Sequence, residues 1–237
     1  GDEIRWGEEL AETAKLTVVS ADGLRTALGG EVKLSSFAHA GAVVRNAAGA
    51  VPPLGQQEPT GFDQGRVITP GEIPNGYPTI LHQINVQAPA AGVNAREVDL
   101  LLIDGCINDV SVMTILNPFT PPDQIRASTQ SKCAALTEVL LRAHEVFPNA
   151  LIVLTGYYPI VSMRSDLTAL AALVVASGAL PALVAAPATQ QALANNSLAF
   201  VGASNAALAA AANQVNARSG VPGLVSFVPA PFSDLNA

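Results

Sequence analysis

The fold of this chain is set by one stretch, Asp99-Leu100-Leu101-Leu102-Ile103-Asp104-Gly105-Cys106-Ile107-Asn108-Asp109. Its first half is an unbroken aliphatic run, and its second half is a short polar turn that contains a glycine. A run of this kind, closed by such a turn, predicts a central strand of a parallel sheet. Ligands of open α/β sheets bind at the carboxyl ends of the strands. We therefore expect the 104–109 turn to border a functional site.

Composition favours a single α/β domain spanning residues 1–237. The chain is long enough for one large hydrophobic core, and 49% apolar against 13% charged residues is typical of a globular protein. The formal net charge of −7 provides no positive surface for nucleic acid or for an anionic membrane. Nucleic acid is therefore not an expected partner.

The two cysteines, Cys106 and Cys133, form neither a disulfide framework nor a metal-ligand spacing in the sequence. Neither cysteine has a base nearby in the sequence that would make it a nucleophile. Residues 167–186 form an uncharged run that is long enough for a membrane span. Gly178 and Pro181 interrupt this run, which favours a lid or a pair of core helices, so we expect no transmembrane segment.

A long amphipathic helix is predicted after the polar turn, starting at Thr120 as N-cap with prolines in its first turn. Apolar or small residues recur along it at steps of three and four, which is the spacing of one buried helix face. These residues are Ile125, Thr129, Cys133, Leu136, Leu140, Ala143 and Phe147. A second apolar strand follows over 150–155. Two strands joined by such a helix predict a right-handed βαβ crossover.

The remaining segments carry weaker patterns. We predict a helix ending near Gly29-Gly30, a strand over 31–36, a surface excursion over 47–78 and a short helix within 78–86.

The Ala-rich region from about residue 166 to 200 is predicted to form helical pieces, broken at Gly178, Pro181, Pro187 and Asn195-Asn196. It fits either an apolar lid beside a pocket or a packing insert. A helix resumes from Leu198, and a last strand lies within 223–228.

Three loops are expected to meet at one edge of the sheet, because each follows a strand of a parallel sheet. They are residues 1–7, 37–44 and 104–109.

In this order, the three loops resemble the first three sequence blocks of the SGNH (GDSL) hydrolase family. The first block is Gly-Asp-Ser, extended in one branch to Gly-Asp-Ser-x-x-Trp-Gly, and this chain has Gly1-Asp2-Glu3-Ile4-Arg5-Trp6-Gly7. The glycine of the second block falls on Gly41. The third block, Gly-x-Asn-Asp, is approximated by residues 105–109, with one extra residue before Asn108. The resemblance covers nearly the whole chain.

The resemblance implies a three-layer α/β/α sandwich, flavodoxin-like, with a mostly parallel sheet and a helical insert near 166–200. It implies an esterase or lipase that acts on a small-molecule ester or acyl ligand through a serine acyl-enzyme, without metal or organic cofactor. The implied oxyanion-hole donors are the backbone N–H of Glu3, the backbone N–H of Gly41 and the side-chain amide of Asn108.

Two departures from the family pattern bear on activity. Glu3 stands where the family has its nucleophilic serine, and the family's C-terminal Asp-x-x-His block is not found. We therefore expect a family domain trimmed at both ends or a degenerate member, inactive because of Glu3. Glu3 is expected to fill its own oxyanion hole, since backbone and amide donors bind a carboxylate well. The alternative is a non-catalytic binding or structural protein that keeps the hydrolase scaffold.

Other polar residues near these loops admit simpler roles. His39 adjoins Gly41 but is expected to be a hydrogen-bonded structural histidine, and His82 and His144 fall on predicted helices. Asp104 and Asp109 flank the polar turn, where an acid pair would fit a glycosidase or a metal site. Capping and turn hydrogen bonds are the favoured roles for both.

Overall fold

The structure is a computed structural model, and it describes residues 12–38, 41–45, 61–63, 66–68, 79–166 and 187–231. Before the sheet lie helix α1 (Leu16–Leu28), strands β1 (Gly61–Asp63) and β2 (Arg66–Ile68), and helix α2 (Ile80–His82). A π-helical turn, Gln83–Gln87, joins α2 to α3 (Ala88–Ala90). The Gly29 N–H donates to Arg25 O with Gly29 in the left-handed conformation, which confirms the predicted helix end.

The predicted strand is confirmed as β3 (Leu100–Ile103), which forms a parallel sheet of order β3-β4-β5 with β4 (Leu151–Thr155) and β5 (Val225–Val228). Its predicted central position is not confirmed, because among the described strands β3 lies at the edge and β4 in the middle. β1 and β2 form a separate antiparallel pair. The described chain is therefore an α/β structure with a three-stranded parallel sheet. Because β3 and β4 are parallel, their carboxyl ends lie at the same edge of the sheet, where the 104–109 turn begins.

Helices connect these strands. After β3 come α4 (Ile107–Val110), α5 (Val112–Ile115), α6 (Pro122–Cys133) and α7 (Leu136–Val146), and the 33-residue α8 (Pro187–Ser219) joins β4 to β5. The predicted long helix is thus two helices, α6 and α7. Its predicted buried face is confirmed, because all seven residues of the stripe are 3% exposed or less.

The core lies between the sheet and α6, α7 and α8. Ile152 and Leu154 of β4 belong to one apolar cluster with Leu140 of α7 and with Phe200 and Leu208 of α8. Alternate residues of a strand point to opposite faces. On the other face of β4, Leu151 is 57% exposed. Helices α6, α7 and α8 therefore contribute to the core on the face of β4 that Ile152 and Leu154 share, and the third layer of the expected sandwich stays a prediction.

Three predictions about local structure were wrong. Residues 31–36 are not a strand, and the alternation of polar and apolar residues there has no strand to pair with in the described part of the chain. The predicted break at Asn195-Asn196 is absent, because α8 runs through it. Thr120 is also not the N-cap of α6, where Pro121 holds that position.

The helical insert predicted over 166–200 is corrected in its second half, since residues 187–200 are the first part of α8 and continue into its packed region. Residues 167–186 lie outside the described residues, as does most of the predicted excursion over 47–78. No helix in the described ranges has both the length and the apolar character needed to cross a membrane.

Candidate functional site at the end of strand β3

The 104–109 turn packs tightly beneath helix α2. Asp104 is 1% exposed, and Gly105 lies so close to Ile80 that a Cβ built on the glycine would be 2.1 Å from Ile80 Cδ1. A side chain at this position would require the buried Ile80 Cδ1 methyl to move, which favours glycine. The turn is therefore held against the segment of the chain that precedes β3.

Cys106 and Cys133 form a disulfide, which the sequence did not lead us to expect. Both cysteines are fully buried. The bond joins the turn to the last residue of α6, so it fixes the start of α4 relative to that helix. No local spacing signals this pair, since the two cysteines become neighbours only when α6 packs beside the turn.

Asn108 and Gly41 are brought to the same place. The Asn108 side-chain Nδ2 donates to the backbone oxygen of Ala42 at 3.0 Å, across 66 positions of sequence. Gly41 has a φ of 78°, a left-handed conformation that glycine adopts readily. The 104–109 loop and the 41–44 part of the 37–44 loop, which were predicted to converge, are therefore in contact. The contact is made by Ala42, the residue after Gly41.

Asp109 makes a second contact to the same 41–45 segment. Its Oδ2 accepts the backbone N–H of Val44 at 3.0 Å. Burial raises the pKa of the Asp109 carboxyl to about 6, although the Val44 N–H and the nearby Lys132 ammonium act in the opposite direction. Lys132 also donates to the backbone oxygen of Asp109. The predicted role of Asp109 was a local capping or turn hydrogen bond, whereas this carboxylate bonds a segment 65 positions away in the sequence.

The 41–45 segment in turn caps helix α2. The Val43 and Val44 carbonyls accept the N–H groups of Ile80 and Leu81, at 3.0 and 3.2 Å. Ala42 and Val44 are fully buried. Because N–H groups at a helix start otherwise lack partners, these bonds tie the segment to α2 as well as to the 104–109 turn.

Tyr157, just after β4, supports the turn from the other side. Its hydroxyl accepts the backbone N–H of Ile107, the first residue of α4, at 3.1 Å. Its ring is 2% exposed and packs on Phe200 with the ring centroids 5.1 Å apart. The sequence could not separate a pocket wall from a core residue at this position.

Polar side chains of α8 hold the loop that contains Tyr157. Asn205 Oδ1 accepts the Tyr157 N–H at 2.9 Å, and Asn205 Nδ2 donates to the Tyr157 carbonyl at 3.3 Å. The Ser197 hydroxyl accepts the N–H groups of Ile160 and Val161. These residues sit in a stretch that looks like low-complexity sequence, and only the packing shows their purpose.

Two predicted site residues, Glu3 and His39, lie outside the described residues. His82 lies on α2, where burial lowers its pKa, and His144 lies on α7. A groove of about 550 Å³ runs between α6 and α8, with Arg126, Gln130, Leu198 and Ala203 among its lining residues. It contains neither Gly41 nor Asn108.

No protein-family model matches this chain, and neither the curated proteins nor the solved structures searched contain a significant match.

Proposed function

We propose that this chain is an ester-hydrolase domain of the SGNH type, with a flavodoxin-like three-layer sandwich around the parallel sheet. Gly41 and Asn108 supply donors for an oxyanion, and the ligand is a small-molecule ester or its acyl group. The observation that carries the proposal is the Asn108 Nδ2 to Ala42 O bond, which joins the second and third motif loops at the end of β3.

The chemistry of ester cleavage explains why this pairing matters. Attack on an ester carbonyl places negative charge on its oxygen, and fixed N–H donors aimed at that oxygen lower the barrier. A side-chain amide that bonds the Ala42 carbonyl, next in sequence to a glycine in the left-handed conformation, suits such a role. The disulfide and the Val44 to Asp109 bond add to the rigidity that a preorganised donor set needs.

Glu3 limits the chemistry that this site can perform. Acyl transfer by the serine route needs a hydroxyl that a base can deprotonate, and a carboxylate offers none. We propose that the Glu3 carboxylate occupies the oxyanion donors, so that the domain does not turn over esters. The second candidate function is non-catalytic binding of an acyl ligand on the same scaffold. Glu3 favours it as well, because a site without the serine nucleophile cannot form an acyl-enzyme.

Hydrolysis of p-nitrophenyl acetate by the full-length protein tests the proposal. We expect no turnover with Glu3 in place, and measurable turnover for Glu3→Ser when the assayed protein also carries a C-terminal histidine as base. Adding Asn108→Ala to Glu3→Ser should lower kcat roughly 100-fold, as loss of one oxyanion donor does elsewhere. Glu3→Gln is the matched control, since it removes the charge without supplying a nucleophile.

Each outcome separates the two candidates. Turnover by the unmodified chain would refute the blocked oxyanion site. A folded Glu3→Ser protein that carries the C-terminal histidine and still shows no turnover would refute the esterase site and leave non-catalytic binding as the function. Equal kcat for Glu3→Ser with and without Asn108 would remove Asn108 from the donor set.

A further inference from the structure

Helix α4, which carries Asn108, is a short element between two unusual backbone conformations. It has only four residues. Cys106 before it has a φ of 102°, and Ser111 after it has a φ of 79°. Positive φ is unfavourable for residues with a side chain and persists only where the surroundings impose it. One turn of helix cannot hold itself in such a setting.

The Asn108 and Asp109 side chains bond to the 41–45 segment, and three further contacts from other elements hold α4 in place. The disulfide fixes Cys106 at its start, and Lys132 donates to the carbonyl of Asp109. The third contact is the Tyr157 hydroxyl, which accepts the N–H of Ile107 at 3.1 Å. Of the three, only the last acts on the residue next to Asn108 on its N-terminal side.

We propose that Tyr157 is a positioning residue for the Asn108 amide, acting through the Ile107 N–H. The inference rests on the proposed function, in which that amide is an oxyanion donor. Tyr157 does not touch the ester. It helps to set the rotation of α4 and therefore the position from which the Asn108 side chain reaches the Ala42 carbonyl.

The Tyr157 hydroxyl accepts the Ile107 N–H, whereas the Tyr157 ring contributes only packing. The ring packs on Phe200 and would do so equally as a phenylalanine. Loss of the hydroxyl removes the acceptor of the Ile107 N–H in a place where Ile107 is 7% exposed and Tyr157 is 2% exposed. A buried N–H that loses its acceptor shifts to find another. Because Asn205 holds the Tyr157 backbone, that adjustment falls on α4.

Kinetics of the Glu3→Ser protein provide the first test. Tyr157→Phe should lower kcat for p-nitrophenyl acetate by roughly tenfold to 100-fold, because the Asn108 amide is no longer held in the orientation that the oxyanion needs. KM should stay within about twofold, because the surface that binds the ester is unchanged. Tyr158→Phe is the matched control, since it removes a hydroxyl from the adjacent, 40% exposed tyrosine. It should leave kcat unchanged.

A double-variant comparison separates positioning from a general structural effect. If Tyr157 acts through Asn108, Tyr157→Phe should cause no further loss of kcat once Asn108→Ala is present. Equal losses in both backgrounds would overturn the proposal. So would an unchanged kcat in the single Tyr157→Phe variant.

A second readout uses the unmodified Glu3 chain and needs no hydrolysis. In ¹⁵N NMR spectra, Tyr157→Phe should shift the Asn108 side-chain amide resonances and speed exchange of the Ile107 N–H by roughly tenfold. Phe200→Leu, which weakens the ring packing and keeps the hydroxyl, should leave both close to their original values. If Glu3→Ser fails to hydrolyse the ester, the proposed function falls, and these amide signals still decide the role of Tyr157. Unchanged Asn108 signals would refute it.

Discussion

Asp109 is an acidic side chain in a largely buried position between two distant parts of the chain. It accepts the Val44 N–H, and burial raises the pKa of its carboxyl to about 6. The raised pKa means that the folded protein holds this proton more tightly than the unfolded chain does. The contribution of Asp109 to stability is therefore complete below about pH 4 and is lost as pH rises through about 6.

Asp109→Asn tests this dependence. The amide oxygen can still accept the Val44 N–H, but the side chain no longer ionises. We expect the variant to be more stable than the parent by about 2–3 kcal/mol at about pH 7.5 and nearly equal to it at about pH 4. Urea denaturation at the two pH values measures the difference.

The control for this comparison is Asp123→Asn. The Asp123 side chain is 94% exposed and pairs with Arg126 within one turn of α6. Surface pairs of this kind contribute little, so the variant should change stability by about 0.5 kcal/mol or less at either pH. A stability gain for Asp109→Asn that is the same at both pH values would contradict the role given to ionisation.

Among single residues, those in a recognisable motif could be predicted and those acting through packing could not. Asn108 stood out because it follows a buried strand in a spaced motif, and the structure brings it to the Gly41 segment. Tyr157 and Asn205 carry no such pattern. Their roles depend on hydrogen bonds between loops and helices 48 or more positions apart.

At the scale of elements, α8 illustrates how side chains can join a helix to a strand edge. Asn216 Nδ2 donates to the Val225 carbonyl at 2.9 Å, and its Oδ1 accepts the Val225 N–H at 2.8 Å. Val225 begins β5, which pairs with β4 and with no other strand of the described sheet. Asn216 thereby satisfies the first outward-facing backbone groups of β5.

Asn216→Ala should therefore destabilise the protein. Two backbone groups of Val225, itself 3% exposed, would lose their partners, and we expect a loss of about 1–3 kcal/mol in the free energy of unfolding. Asn213→Ala, at an exposed position of the same helix, should change it by about 0.5 kcal/mol or less. Equal effects of the two variants in urea denaturation would contradict this role.

Sequence patterns located the elements in which apolar residues either recur at helical spacing or form an unbroken run. The stripe of α6 and α7 and the aliphatic runs of β3 and β4 need no tertiary information. The uninterrupted course of α8 could not be foreseen, because asparagine disfavours helix interiors in isolation. Here Asn196 donates to the Asn117 carbonyl at 2.9 Å, and this tertiary contact favours the helix through that point.

At the scale of the whole molecule, the disulfide joins the turn after β3 to the end of α6, with a sequence separation of 27 residues. A loop of that size, closed in the unfolded state, should contribute about 3–4 kcal/mol to stability. Reduction, or replacement of both cysteines by alanine, is therefore expected to lower the free energy of unfolding by about that amount.

Urea denaturation with and without a phosphine reductant measures this contribution, and the Cys106→Ala/Cys133→Ala protein is the control. The double variant should respond to urea identically in both conditions. Two thiols that alkylate in the unreduced, denatured protein would contradict the bond. Prediction of the pair from sequence fails because it requires knowing that α6 returns to the turn.

α8 carries no charged residue before Arg218 in its last turn, and this determines where trypsin can cut the protein. Trypsin cleaves after lysine and arginine, and the sequence offers neither between Arg164 and Arg218. Almost the entire helix that supports the candidate site therefore leaves a tryptic digest in one large apolar fragment. A protease that cuts after leucine or phenylalanine is the reagent that can report local opening of this helix, and peptide mapping of the protein needs the same choice.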